Sequence, residues 1–294
     1  MRLMKCRFLL LVAVIGPATA FGGQLKPGSG RIEFHQAGKT VPVWYFLPDT
    51  AKPDTPVLIV MHGVKRDAER YRNDWMPHAQ KYGFIIVAPE FSRMEFPKDA
   101  DYSQGSVVDD KGRTRPREQW AFSFIEPIFD AVKAGTGNRT EKYQIYGHSA
   151  GAQFVHRFLF FVPEARVARG VSANAGWWTL PDVDVDFPFG LKGAPPIKGD
   201  ALKTVLQRPL VVLLGTADTD PNDVNLSRSK GAMAQGPFRF ARGNFFFRYG
   251  QRQAAAQDVT LGWKLDTAPG IGHSDKDMAT FAVEWLFGKK ASDE

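Results

Sequence analysis

Tyr143-Gln144-Ile145-Tyr146-Gly147-His148-Ser149-Ala150-Gly151 is the stretch from which the rest of the chain is read. A β-prone run enters a Gly-x-Ser-x-Gly turn. Small residues follow the serine, and then comes Phe154-Val155-His156-Arg157-Phe158-Leu159-Phe160-Phe161, too apolar for an exposed helix. The five-residue motif by itself occurs in ordinary turns, so its flanks carry the argument. Strand, sharp turn and buried helix together form a nucleophile elbow, in which a strained backbone presents a serine hydroxyl. Gly147 and Gly151 leave space where side chains would collide.

Outward from this stretch, continuous apolar runs recur: Val57 to Met61, Phe84 to Ala88, Pro209 to Leu214, and a small-residue run from Gly170 to Gly176. Such runs mark strands buried on both faces. A short late strand is expected at Gly262 to Leu265. Helical patterns separate the strands: Asp67 to Tyr82, Trp120 to Ala134 with a kink expected at Pro127, Met233 to Ala256, and Asp275 to Phe287. Arg31 to His35 and Val41 to Leu47 read as an antiparallel pair joined near Gly38. The alternation predicts an α/β fold, a mostly parallel central sheet with helices on both faces. Catalytic groups then belong at the carboxyl ends of the strands. Ser92 to Pro116 and Trp177 to Asp200 read as long loops on that side, and they are expected to set specificity.

A serine hydroxyl is a poor nucleophile near neutral pH. It needs a base for its proton, and the base needs an acid to hold its tautomer. In such a sheet the order along the chain is Ser, then Asp or Glu, then His. Of six histidines only His156 and His273 follow Ser149. His156 lies two turns along the elbow helix and reads as structural. His273, in a Gly-flanked loop after the last strand, is the candidate base. Asp218, after the strand ending at Gly215, is the candidate acid, with Asp220 as runner-up. The loop after the early strand, His62-Gly63-Val64, should offer the Val64 N–H to an oxyanion, with His62 bracing the loop. The second donor should be the Ala150 N–H. Trp177 and Tyr102 are candidate substrate contacts, and Phe96 could line the same groove; Trp178 is a weaker candidate than Trp177 because both cannot easily face one cavity.

The sequence resembles the α/β-hydrolase superfamily through His62-Gly63, Gly147-His148-Ser149-Ala150-Gly151, Gly215-Thr216-Ala217-Asp218 and Gly272-His273. Within it the chain is similar to exported esterases related to polyhydroxybutyrate depolymerases and feruloyl esterases. The resemblance implies the α/β-hydrolase fold and a Ser-Asp-His acyl-enzyme mechanism with no metal and no cofactor. The expected substrate is a small or polymeric carboxylic ester. Two other readings stay open: an acyltransferase of the cell envelope on the same triad, and a non-catalytic envelope-binding protein that keeps the fold.

Composition sets the remaining bounds. With 294 residues, 44 % hydrophobic and 23 % charged, the chain can build one large globular domain. Arg2, Lys5 and Arg7 precede the apolar run Phe8 to Ile15, and Ala18-Thr19-Ala20 follows. This is the pattern of a secretory signal over residues 1–20, with a single domain over 21–294 and a periplasmic or secreted destination. The apolar run is too short to serve as a stable membrane anchor. The single cysteine, Cys6, falls in the signal, so a disulfide is not expected. The net charge of +7 falls to about +4 without Arg2, Lys5 and Arg7. The basic residues are scattered, which gives no support to a nucleic-acid partner. Asp218-Thr219-Asp220-Pro221-Asn222 starts like a calcium loop, but Asp223 and Ser229 stand where Gly and Glu are required. The sequence leaves the oligomeric state open.

Overall fold

The computed structural model describes residues 23–197 and 200–291. The expected signal segment therefore lies outside the described residues. Eight strands form one sheet: β1 (Gly28–Gln36), β2 (Lys39–Leu47), β3 (Val57–Met61), β4 (Ile85–Pro89), β5 (Tyr143–His148), β6 (Val167–Ala173), β7 (Leu210–Gly215) and β8 (Trp263–Ala268). Their order is β1-β2-β4-β3-β5-β6-β7-β8. β1 and β2 form the expected antiparallel hairpin, and β2 runs antiparallel to β4. From β4 onward every pairing is parallel.

The helices are α1 (Ala68–Tyr82), α2 (Asp99–Ser103), α3 (Ile125–Thr136), α4 (Ala150–Phe161), α5 (Ala201–Leu206), α6 (Lys230–Met233), α7 (Arg239–Ala256) and α8 (Asp275–Leu286). The strand period of two sorts side chains into two cores. Val57, Ile59 and Met61 of β3 face one helical layer, with Phe154 and Phe158 of α4 and Phe246 of α7. Leu58 and Val60 face the other, with Tyr71 and Trp75 of α1 and Met278 and Val283 of α8. β7 divides in the same way, Leu210, Val212 and Leu214 against Val211 and Leu213. Each fully buried Leu, Val or Phe adds about 1.5–3 kcal/mol, so the two layers pin the register of the central strands.

Three expected features differ. The helix predicted from Trp120 begins at Ile125, after short 3-10 turns, so Pro127 falls in its first turn and causes no kink. A first-turn N–H has no carbonyl partner within a helix, and proline there loses nothing. The segment 92–116 is not wholly irregular: it contains α2 and a bridge between Val108 and Thr114. The pattern predicted from Met233 splits into α6 and α7 around Gly236, whose φ of 141° only glycine adopts without strain.

Candidate active site

β3, β5, β7 and β8 end on one rim of the sheet, and the predicted residues gather there. Ser149 follows β5 directly. Its backbone takes φ 57° and ψ −115°, a conformation costly for a residue with a Cβ. The turn is held by close backbone approach on both sides. A Cβ on Gly147 would lie 2.2 Å from the Gly151 carbonyl oxygen, and one on Gly151 would lie 2.1 Å from that of Met61. The Ser149 N–H also bonds the Ala173 carbonyl of β6 at 3.0 Å.

His273 lies in the turn between β8 and α8. Its Nε2 is 3.0 Å from Ser149 Oγ, and its Nδ1 is 2.8 Å from Asp218 Oδ2. An ionised carboxylate can only accept, so Nδ1 carries the proton and Nε2 is left to accept from the serine hydroxyl. Asp218 is buried. The runner-up, Asp220, is exposed and accepts the Asn222 N–H at 2.8 Å instead.

The loop after β3 is braced as expected. His62 Nδ1 donates to the Gly63 carbonyl at 3.0 Å, and its Nε2 accepts the Phe91 N–H at 3.1 Å. Complete burial pushes the His62 pKa down to about 3, so the ring stays neutral and can play both roles. Gly63 lies close to the serine: a Cβ there would lie 3.9 Å from Ser149 Cβ and 2.6 Å from the Tyr71 hydroxyl. Val64 lines the cavities on both sides of Ser149. Ala150 opens α4, where an N–H has no intrahelical acceptor.

Ser149 stands between two cavities that share Val64 and Asn225. One, of about 450 Å³, is lined by Lys65, Arg70, Tyr71, His148, Asp223 and Lys276 among others. The other, of about 420 Å³, is bounded by Ser103, Gln104, Gln153, Trp177, Leu226 and Ser227. Both are rich in polar groups, and neither resembles a greasy acyl tunnel.

Trp177 lies on the wall of the second cavity. Beneath its ring, at 4.1 Å, sits the guanidinium of Arg157, wholly buried on α4. Arg157 donates to Thr179 Oγ1 at 2.7 Å and to the carbonyls of Ser103 at 2.7 Å and Gln153 at 3.1 Å. None of these acceptors is a carboxylate, and burial opposes its charge.

Tyr102 and Phe96 correct the expectation. Each is about 1 % exposed and neither lines a cavity beside Ser149. Tyr102 donates its hydroxyl to the His62 carbonyl at 2.7 Å and stacks on the His62 ring at 4.4 Å. Phe96 packs against Phe91 and Phe124. An aromatic in a polar segment looks exposed in sequence, but α2 folds this one inward. Trp178 is buried against Phe246, and His156 is a core residue that donates to the Ala152 carbonyl and accepts the Thr179 N–H.

Sequence reasoning missed the second wall. Asp223, Asn225, Leu226 and Ser227, between β7 and α6, line the cleft, and Arg239 at the start of α7 ties them to Asp218. The only signal was the acidic cluster considered as a calcium loop. Its carboxylates at Asp218 and Asp223 turn toward Arg239. Among the described residues no group of three or more His, Cys, Asp or Glu could hold a metal ion.

No protein-family model and no curated protein matches the chain. Solved structures do. Poly(aspartic acid) hydrolase-1 from Sphingomonas sp. KT-1 is 47 % identical, over 89 % of this chain and 99 % of that one, with a TM-score of 0.87. The poly(3-hydroxybutyrate) depolymerase LpqC from Bordetella parapertussis is 32 % identical, over 89 % and 91 %, with a TM-score of 0.84. An S-formylglutathione hydrolase from Agrobacterium tumefaciens, 14 % identical over 92 % of this chain and 96 % of that one with a TM-score of 0.56, shares the fold. The elbow, the strand order and these likenesses together show that the chain belongs to the α/β-hydrolase family that includes poly(aspartic acid) hydrolase-1 and the depolymerase LpqC.

Proposed function

We propose that the protein is an exported serine hydrolase that cleaves carboxylic esters through an acyl-enzyme, acting in the periplasm or outside the cell. The observation that carries the hydrolase reading is the Ser149–His273–Asp218 chain of hydrogen bonds, 3.0 and 2.8 Å, on a strained turn at the mouth of two cavities; export rests on the signal pattern of residues 1–20. Ser149 Oγ attacks the ester carbonyl while His273 Nε2 takes its proton. The tetrahedral oxyanion accepts from the N–H groups of Val64 and Ala150. Charge develops on that oxygen only in the transition state, and one such donor is worth about 3 kcal/mol. The bond to the alcohol breaks as His273 returns the proton to the leaving oxygen. Water then adds to the acyl group, with His273 as base again, and the acid leaves with Ser149 restored.

Two observations favour a second substrate class on the same machinery, the amide links of an anionic polymer. Poly(aspartic acid) hydrolase-1 is 47 % identical over 99 % of its length. The other is Arg157, whose guanidinium lies 4.1 Å beneath the Trp177 ring with no carboxylate among its acceptors, so that an anionic group in the cleft would favour the charge that burial opposes.

The test is turnover of p-nitrophenyl esters of graded chain length, poly(3-hydroxybutyrate) and poly(aspartic acid), by wild type and Ser149→Ala, with products identified by mass spectrometry. Ester release lost in Ser149→Ala supports the reading and excludes a purely binding role. Release only in the presence of an added acceptor alcohol would replace hydrolysis with acyl transfer. Cleavage of poly(aspartic acid) alone would move the substrate to the amide class. Undiminished turnover by Ser149→Ala would sink the serine mechanism.

A further inference from the structure

Asp218 offers His273 only one of its carboxylate oxygens. Its other oxygen, Oδ1, accepts from Arg239 Nη1 at 3.3 Å. The same Nη1 lies 3.1 Å from Asp223 Oδ2, and Nη2 lies 3.2 Å from Asp223 Oδ1, so the guanidinium forks onto a second carboxylate. Arg239 is 1 % exposed, and the backbone beside it is tied to the same acid: the Phe240 N–H donates to the Asp218 carbonyl at 3.2 Å. Asp223 in turn shapes the cleft. Its Oδ1 accepts the Asn225 N–H at 2.7 Å and its carbonyl accepts the Leu226 N–H at 3.0 Å. Asn225 lines both cavities at Ser149, and the neighbouring Val224 is almost fully exposed. The Arg239 fork holds the Asp223 carboxyl below the usual carboxylate range, so that carboxyl is ionised at neutral pH.

We propose that Arg239 is a positioning residue that clamps the free oxygen of Asp218 and, through Asp223, fixes the 223–226 turn beside Ser149, so that a three-charge cluster governs protonation of His273. The proposal rests on the triad reading above. Its electrostatic content has a definite sign. Asp218 and Asp223 are negative and Arg239 is positive, a net charge of −1 next to the imidazole. Arg239→Gln leaves −2 and favours the imidazolium. Asp223→Asn leaves 0 and disfavours it. The double variant restores −1. The other charged and titratable groups around His273 are unchanged in all three: His148 with its ring 4.5 Å away, Asp275 and Lys276 on α8, and Lys65, Asp67 and Arg70 across the cavity. A merely structural arginine predicts no such reversal, because loosening the site by either route would act in one direction.

The experiment is an NMR titration of the full chain carrying ¹³C-labelled histidine, with the His273 resonance assigned by its absence in His273→Gln. The midpoint should rise by ~0.5–1 pH unit in Arg239→Gln and fall by a similar amount in Asp223→Asn. It should return to within about 0.3 unit of wild type in the double variant, and Arg239→Lys, which keeps the charge but loses the fork, should stay nearer to wild type than Arg239→Gln. The acid limb of kcat/KM on any ester turned over should follow the same order. KM in Asp223→Asn should rise several-fold as the turn loosens. Shifts of one sign in both single variants, or a double variant that fails to return, would overturn the proposal. If Arg239→Gln does not fold, Asp223→Asn must still lower the midpoint, and no displacement there refutes the charge cluster. The titration needs no turnover, so failure of the serine mechanism in Ser149→Ala is read separately from failure of the cluster.

Discussion

The side-chain amide of Asn174 donates to the carbonyl of Gly272, the residue before His273, at 3.0 Å. Its Oδ1 accepts the N–H of Gly215 at 2.8 Å, at the end of the strand that leads to Asp218. One wholly buried side chain just past the end of β6 thus joins the loop of Asp218 to the loop of His273. Asn174 itself has φ 51°, where asparagine is tolerated better than alanine. Asn174→Ala should lower stability by about 2–4 kcal/mol, from an orphaned N–H, an orphaned carbonyl and backbone strain. It should lower kcat more than it raises KM, because it displaces His273 and leaves the cavity walls in place. Urea denaturation and steady-state kinetics check both; an unchanged kcat would show that the loops hold themselves.

The elbow glycines are packed against backbone, which cannot move aside as a side chain can. Gly151→Ala places its Cβ 2.1 Å from the Met61 carbonyl oxygen. The expected result is loss of at least about 3 kcal/mol together with loss of Ser149 labelling by a fluorophosphonate, read by intact mass. Gly112→Ala is the control. That glycine has φ 73° and open space around it, so the cost should be about 1 kcal/mol of strain without loss of labelling.

Tyr102 and Trp177 should separate cleanly. Tyr102→Phe removes a 2.7 Å bond to the His62 carbonyl behind the loop after β3. It should cost about 1–2 kcal/mol of stability and leave the preference among substrate chain lengths unchanged. Trp177→Ala should alter that preference and raise KM, since the ring forms a cavity wall. A changed chain-length profile in Tyr102→Phe would place that side chain back in the cleft.

Stability should fall in acid through the buried histidines. His62, His148 and His156 are wholly buried, and desolvation lowers each pKa, that of His62 to about 3. Unfolding lets each take up a proton below the unfolded value near 6.5. Their stabilisation is therefore complete above that value and is lost as pH falls toward the folded values, by about 1.4 kcal/mol per pH unit for each. Asp275 acts in the opposite sense. Burial raises its pKa well above the usual value, so the folded state keeps a proton that the unfolded state releases above about 4. Asp275→Asn, whose amide oxygen can still accept from Tyr146, should gain stability over wild type as pH rises through that window. Urea titrations at several pH values measure both slopes, and a wild-type stability that is flat from pH 6.5 to 4 would contradict the histidine account.

Local signals in the sequence pointed to the sheet, the elbow and the order of the candidate triad. Short apolar runs bounded by turn residues mark strands covered on both faces, and the glycines around Ser149, between such a run and a buried helix, mark close backbone approach. The choice of His273 over His156 followed from chain order and helical spacing. Position in three dimensions decided what remained. Asp218 and Asp220 are two residues apart and chemically identical, and only the 2.8 Å contact with His273 separates them. Tyr102 read as a substrate contact until α2 turned it under the loop after β3. Arg239 and Asn174 gave no readable signal, and Asp223 gave only that of a failed calcium loop, because their partners lie many residues away and a buried arginine or asparagine has no period. Periodicity reports which face of an element is covered. The partner that satisfies a buried charge or amide is set by how the strand ends converge, and that exists only once the sheet has formed.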